Sequence, residues 1–152
     1  MLSIKLICVG KLKEQFYTDA ANEYIKRLSS YCKLEVTEVS EYRHVEIALD
    51  KERAEVESKI PGNALCVALC VEGREMDSFA LSEFLSDCAL KGASRLCFII
   101  GGSLGLHKDI KNRSDVRLSM SKMTFPHNLA RVMLLEQLYR AFKIAEGGKY
   151  HK

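Results

Sequence analysis

The stretch ALCVALCV (residues 64–71) decides the fold class of this 152-residue sequence. Its side chains are apolar almost without interruption, and a turn of Pro61, Gly62 and Asn63 precedes it. A run of this kind is typical of a strand that is buried on both faces of a parallel sheet. The run RLCFII (95–100) has the same character and ends abruptly at two glycines. Together the two runs predict a sheet with helices on both faces.

Strand-like and helix-like segments alternate along the rest of the chain. Further strands are predicted at 3–9, 34–39 and 116–120, and helices at 15–32, 46–60, 79–91, 108–113 and 126–145. Strands that alternate with helices form mostly parallel sheets. We therefore predict one α/β domain over residues 1–152.

Composition excludes several classes of protein. Hydrophobic residues make up 47% and charged residues 28%, unlike a disordered, collagen-like or coiled-coil chain. No apolar run approaches the roughly 20 residues of a membrane span, and residues 1–13 do not resemble a signal peptide. The six cysteines contain no C-x-x-C pair. We therefore expect reduced thiols, a cytoplasmic protein and no metal.

Charge is unevenly distributed, although the net charge is only +3. Residues 34–90 carry five basic and thirteen acidic side chains, whereas residues 103–152 carry ten basic and four acidic ones. A basic segment favours an anionic partner, and nucleic acid is the commonest large one. The alternative is a solvated face that nearby acids balance.

Three loops should meet at the carboxyl ends of the strands, where α/β sheets bind ligands. They follow Leu69, Ile100 and Leu118. The loop GGSLG (101–105) can turn sharply and expose its amides to a ligand, but its spacing matches neither a dinucleotide fingerprint nor a P-loop. The stretch LSMSKMTF (118–125) could form the wall of a pocket for a flat heterocycle. The structural alternative for residues 101–105 is a tight turn. The structural alternative for residues 118–125 is a loop whose Met and Phe side chains fill the core.

Titratable side chains stand at the start of the last helix and at the chain terminus. His127 and Arg131 are four residues apart, so they share a helix face close to an anion-attracting N-terminus. They could position a phosphate or substrate, or they could be a packed histidine and an ion-paired arginine. The tail YHK (150–152) contains a second histidine, although termini are usually disordered.

The last helix is apolar almost all round, and its apolar side chains cannot all face one sheet. A chain of this size offers no large core, so we predict a two-fold homodimer interface on this helix. The residues concerned are Leu129, Val132, Met133, Leu134, Leu135, Leu138, Tyr139, Phe142 and Ile144.

Four stretches together resemble a known family, and they occur in its order and spacing. They are FIIGGSLGL (98–106), LSMSKMTFPH (118–127), ARVMLLEQLYRA (130–141) and YHK (150–152). They are similar to the ribosomal large subunit pseudouridine methyltransferase H family of the SPOUT class. The resemblance spans essentially the whole chain. One departure is Cys70, where many members have Asp.

The resemblance implies an α/β fold with a C-terminal trefoil knot and S-adenosylmethionine as the cofactor. It implies N3-methylation of a pseudouridine in 23S rRNA within the assembled ribosome. The cofactor contacts that it implies, carried over by position, are Leu69, Gly101, Met120, Ser121, Lys122, Met123, Thr124 and Phe125.

Methyl transfer to an imide nitrogen requires a base, or a cation that stabilises the imidate. The candidates are His151 as the base, Tyr150 to stack on or orient the ring, and Arg131 to stabilise charge or grip a phosphate; His127 is a lesser candidate. If the last helix forms the dimer interface, the tail could act at the partner's cofactor. RNA phosphates would meet the basic C-terminal third, at Lys108, Lys111, Arg113, Arg117, Lys122, Lys149 and Lys152.

Two functions of other classes also fit the sequence. A non-catalytic ribosome-binding or assembly factor could use the same basic face, and it would not bind S-adenosylmethionine. A small flavodoxin-like nucleotide-binding module would depend on phosphate at the loop 101–105 and would not act on RNA.

Overall fold

The computed structural model describes residues 1–152, apart from the side chain of Val45. It confirms the predicted alternation of strands and helices. The elements in chain order are β1 (Ser3–Val9), α1 (Gln15–Leu28), β2 (Lys33–Val39), α2 (Val45–Lys59), β3 (Leu65–Glu75), α3 (Ser78–Leu90), β4 (Arg95–Ile100), α4 (Lys108–Arg113), β5 (Val116–Ser119) and α5 (His127–Ala145).

The five strands form one sheet in the order β2-β1-β4-β3-β5, and all neighbours are parallel. β4 lies at the centre, and its residues 96–100 are all buried. β3 lies beside it, with Cys66, Val67 and Ala68 buried. This position explains why the two runs that suggested the fold lack the alternation of a half-exposed strand.

Helices cover both faces of the sheet, as predicted. α1, α3 and α5 share a core with Leu6 and Phe98 on one face. α2 and α4 cover the other face, where Ile7 and Ile99 are buried. Alternate residues of β1 and β4 therefore point into two different cores, as the two-residue period of a strand requires. Among the described residues, no helix has the length and apolar character needed to cross a membrane.

Two boundaries differ from the sequence prediction by more than one residue. β3 continues to Glu75, because its pairing with β5 shifts register between Leu69 and Arg74 and then resumes at Arg74 and Glu75. The polar sequence after residue 71 carries no strand pattern, since a neighbouring strand imposes the extension. α1 ends at Leu28, where the Ser29 hydroxyl donates a hydrogen bond to the Lys26 carbonyl at 2.6 Å.

The shifted segment of β3 crosses β5 at very short range. A Cβ atom on Gly73 would lie 2.8 Å from the carbonyl carbon and oxygen of Arg117, so only glycine fits without movement of the backbone. This close crossing of two segments at the carboxyl edge agrees with the trefoil knot that the resemblance implies. The knot itself stays a prediction.

Candidate functional site

A cavity of about 470 Å³ opens at the carboxyl edge of the sheet. It lies where regular pairing of β3 breaks after Leu69, where β4 ends at Ile100, and beside Leu118 of β5. Small-molecule sites typically measure about 300–1,000 Å³. The three loops that the sequence placed at this edge therefore enclose a space of ligand size.

Most residues expected to contact the cofactor line this cavity. Lys122 does not; its side chain is exposed. The residues that do line it are Leu69, Gly101, Met120, Ser121, Met123, Thr124 and Phe125.

The loop 101–105 is a tight turn and also a wall of the cavity. The Gly105 amide donates a hydrogen bond to the Gly102 carbonyl at 3.0 Å, and Gly105 has a φ of +76°. A Cβ atom on Gly101 would overlap the Gly105 backbone. The structural and the ligand-binding interpretations of this loop are thus compatible.

Ser121 shapes the loop that follows β5. Its hydroxyl accepts a hydrogen bond from the Met123 amide at 3.0 Å, while its carbonyl accepts one from the Ser119 hydroxyl at 2.9 Å. The resulting turn leaves Met123 73% exposed at the cavity, while Met120 and Phe125 are half-buried. Apolar side chains beside short polar ones suit a nucleoside that carries an aliphatic thioether chain.

An ion pair that the sequence did not suggest stands in the cavity wall. Lys111 Nζ lies 2.6 Å from Glu72 Oε1, and this hydrogen bond lowers the pKa of the Glu72 carboxyl. Glu72 escaped notice because it lies in the irregular part of β3. Beside it, burial and then the Glu72 charge raise the pKa of the Cys70 thiol, so Cys70 contributes a neutral thiol to the cavity wall.

Arg131 is engaged away from the cavity. Its guanidinium donates to Glu38 Oε2 at 2.7 Å and to the Gly10 carbonyl at 3.0 Å, and its side chain is only 4% exposed. These contacts tie α5 to the ends of β1 and β2. They favour the ion-pair interpretation of this residue over a role in charge stabilisation.

The tail packs against α5 of its own chain. The Tyr150 ring lies edge-on to Tyr139, with ring centroids 4.8 Å apart, and the Arg140 guanidinium lies over it at 4.8 Å. The Tyr150 hydroxyl donates to Glu136 Oε2 at 3.4 Å. Burial, followed by hydrogen bonding and nearby charge, raises the pKa of Tyr150 to about 12.

His151 is held in the same cluster. Its Nδ1 lies 3.0 Å from Arg140 Nη1, and its ring meets Phe79 edge-on at 4.7 Å. His127, by contrast, lines the cavity. Arg140 follows His127 by thirteen residues of α5, a rise of about 20 Å at 1.5 Å per residue. Within one chain, the structure therefore does not bring the tail together with the cavity residues.

The remaining site chemistry can be described briefly. All six cysteines are free thiols. Within the described part of the chain, no group of three or more His, Cys, Asp or Glu side chains is arranged to hold a metal ion.

A ligand-sized cavity at the carboxyl edge of a doubly covered parallel sheet defines a ligand-binding α/β protein. A family model described as "Predicted SPOUT methyltransferase" matches residues 2–151. The chain is 44% identical to "Ribosomal RNA large subunit methyltransferase H" of Clostridioides difficile and 46% identical to the protein of that name from Clostridium botulinum strain Eklund 17B. Each alignment covers 99% of this chain and 100% of the relative.

The chain therefore belongs to the SPOUT methyltransferases, in the family of ribosomal RNA large subunit methyltransferase H. S-adenosylmethionine, the expected cofactor, is the methyl donor of this class.

Two solved structures share the fold at low sequence identity. A probable methylase family protein from Haemophilus influenzae aligns with a TM-score of 0.58 and 12% identity, over 100% of this chain and 72% of that one. A putative methylase family protein from Neisseria gonorrhoeae aligns with a TM-score of 0.52 and 12% identity, over 91% and 82% of the two chains.

Proposed function

We propose that residues 1–152 form one SPOUT domain that methylates N3 of a pseudouridine in 23S rRNA, within assembled ribosomes of the cytoplasm and as a homodimer. The observation that carries the proposal is the cavity, whose walls include two of the stretches that carry the family resemblance, 98–106 and 118–127. The name shared by the relatives supports rRNA of the large subunit as the substrate.

The cavity residues suit the donor. Leu69, Met120 and Phe125 would pack against its apolar parts, while the backbone at Gly101 and the hydroxyls of Ser121 and Thr124 would meet its polar edge. When bound, S-adenosylmethionine supplies an electrophilic methyl group. The protein's own task is then to exclude water, hold the uracil ring at the opening of the cavity and remove the imide proton.

The position of the tail supports a site shared between two subunits. A tail docked about 20 Å along α5 from its own cavity can serve the cavity of a partner instead. Its contacts with α5 and Phe79 would present Tyr150 and His151 in a fixed geometry. In this arrangement the partner's Tyr150 and the partner's His151 bind and orient the ring.

The outer surface of α5 provides an interface for such a dimer. Leu129, Met133 and Ile144 stay half-exposed on it. The neighbouring helices add exposed aromatic rings, with Phe16 of α1 at 64% and Phe79 of α3 at 55% exposure. Burial of this apolar surface against a second copy would favour association.

The basic side chains support an RNA-binding surface beside the cavity. Lys108 and Lys122 flank the segments that form the cavity walls, and all but Lys111 of the seven side chains expected to meet phosphates are exposed. Contacts of this kind go mainly to phosphates, so affinity should fall steeply with salt.

Incubation of purified ribosomes with labelled S-adenosylmethionine tests the activity. The ribosomes come from a strain that lacks this gene, and mass spectrometry maps the methylated nucleotide. We expect one N3-methylpseudouridine in 23S rRNA. Equal methylation of free 23S rRNA would contradict the requirement for assembled ribosomes, and absence of S-adenosylmethionine binding would favour the non-catalytic factor.

Mixed dimers test the shared site. One chain lacks residues 150–152, and the other carries a Gly101→Val substitution that fills the cavity wall. Each homodimer should be inactive, whereas the mixture should regain partial activity, because one of its two sites combines an intact cavity with an intact tail. Zero activity in every mixture would argue against sharing.

A further inference from the structure

The carboxylate of Glu41 lies at a junction of four segments that the activity described so far does not use. Glu41 follows β2, and its Oε2 accepts hydrogen bonds from the Ser103 amide at 2.8 Å and from the Ser103 hydroxyl at 3.0 Å. Its Oε1 lies 3.8 Å from Nε2 of His127, which begins α5 and lines the cavity. The carboxylate thus reaches from the edge of the sheet, over β1, to the loop that follows β4.

Two glycines make room for this junction. A Cβ atom on Gly102 would overlap the Glu41 carboxylate. A Cβ atom on Gly10 would lie 3.3 Å from Glu41 Oε1 and 3.5 Å from His127 Nε2. Gly10 also has a φ of +97°, which L side chains rarely adopt. The backbone therefore permits a carboxylate and an imidazole to face each other here, at the wall of the cavity.

Glu41 is ionised at neutral pH. Burial raises the pKa of its carboxyl, but the two hydrogen bonds from Ser103 and the charges of His127 and Lys13 outweigh burial, and the net shift is downward. An ionised carboxylate beside an imidazole stabilises the protonated ring.

Lys13 adds a positive charge on the Glu41 side of this junction, and the other charged groups named near His127 are paired. Arg131, one turn further along α5, is engaged by Glu38. Glu72 and Lys111 bind each other in the cavity wall. Among the described residues near the ring, Glu41 is therefore the carboxylate that faces the imidazole.

We propose that His127 is the general base of methyl transfer and that Glu41 is the positioning residue that orients its ring and stabilises the imidazolium. This inference rests on the proposed function. His127 accepts the N3 proton of the uracil ring, so the electron pair on N3 forms the new N–C bond while the C–S electron pair returns to sulfur. The partner's tail then binds and orients the ring and does not remove its proton.

Two opposing effects suit His127 to this task. The N-terminus of α5 disfavours a positive charge on the ring. Glu41 offsets this effect once the proton arrives. The distance of 3.8 Å is too long for a direct hydrogen bond, but such contacts often tighten when the substrate binds.

The test compares pH–rate profiles of the full-length enzyme on ribosomes. His127→Gln should lower kcat by about 100-fold or more, in keeping with loss of a general base. Glu41→Gln keeps the shape and the bonds to Ser103 but removes the charge. It should lower kcat and move the acidic limb of the profile to lower pH, because the imidazolium loses its counter-charge. Glu46→Gln, on the exposed start of α2, is the matched control.

An NMR titration of the His127 ring provides a readout besides activity. In Glu41→Gln the titration should move to lower pH, whereas in Glu46→Gln it should stay in place. If Glu41→Gln lost activity while the pH profile and the ring titration stayed where they are in the wild type, Glu41 would only hold the loop at Ser103 in place. That result would overturn the proposal. Full kcat in His127→Gln, or loss of the acidic limb in His151→Gln alone, would also overturn it. If the wild-type enzyme did not methylate ribosomes, the proposed function itself would be wrong. The NMR titration would still test whether Glu41 stabilises the protonated ring of His127.

Discussion

Arg131 lies on the same face of α5 as a cavity residue, but its contacts stabilise the fold. It connects α5 to the ends of two strands through Glu38 and the Gly10 carbonyl, and it is almost fully buried. Removal of the guanidinium leaves the Glu38 carboxylate without the cation that it pairs with. We therefore expect Arg131→Met to lower the free energy of unfolding by about 3 kcal/mol, as measured by urea denaturation. Glu38→Gln in the same chain should recover part of the loss.

The opposite result would be informative. If Arg131→Met kept its stability and lost only kcat, Arg131 would act in catalysis, as one of its two interpretations from the sequence holds, and the structural role argued from its contacts would be wrong.

Because of Tyr150, we expect the docking of the tail on α5 to depend on pH in the alkaline range. Burial raises the pKa of its hydroxyl to about 12, whereas a free tyrosine titrates near 10. The neutral phenol therefore stabilises the docked tail, and this stabilisation is complete below about pH 10. It is lost as the pH rises through about 12. In NMR spectra the tail signals should approach those of a free peptide over this range.

Tyr150→Phe should remove this component, because a phenyl ring does not ionise. Tyr17→Phe, in α1, serves as the control and should retain the dependence. A tail that titrates identically in all three proteins would show that another group controls its docking.

At the scale of elements, β3 and β5 cross at a point where the two backbones are in close contact. Gly73→Ala would force a methyl group to within 2.8 Å of the Arg117 carbonyl, so we expect a lower melting temperature and weaker S-adenosylmethionine binding. Gly62→Ala is the matched control, since nothing lies within 4 Å of its Cβ position. Equal stability of the two variants would show that the crossing can open without cost.

At the scale of the whole molecule, the basic surface should act on ribosome binding and not on the cofactor. Lys108→Glu with Lys122→Glu, at the start of α4 and in the loop after β5, should weaken ribosome binding. The slope of binding against log salt should fall by about 1 for each phosphate that the variant no longer neutralises. The Kd for S-adenosylmethionine should not change. Lys59→Glu with Lys91→Glu is the control pair, because both side chains are exposed at the opposite ends of their helices from the cavity edge. Equal effects of the two pairs would mean that only net charge matters.

Local sequence patterns predicted the elements well, because buried parallel strands such as 95–100 carry an apolar run and helices carry a 3.6-residue period. Strand ends also located most of the cavity. Lys122 was expected there, but the turn at Ser121 leaves it exposed. Glu41 was not predicted at all, since its contact with Ser103 joins positions 62 residues apart and depends on strand order, which no local pattern carries.

Apart from Lys111 of α4, the cavity walls come from three segments, 69–72, 100–106 and 118–130, and a helix separates each segment from the next. The third wall follows the other two in the chain, so synthesis produces it after them. Until it is in place the cavity is incomplete, so β1 to β4 pair without help from a bound ligand. Once the last segment closes the cavity, a bound donor molecule stabilises all three walls at once. The free energy of unfolding should therefore rise with the concentration of the cofactor.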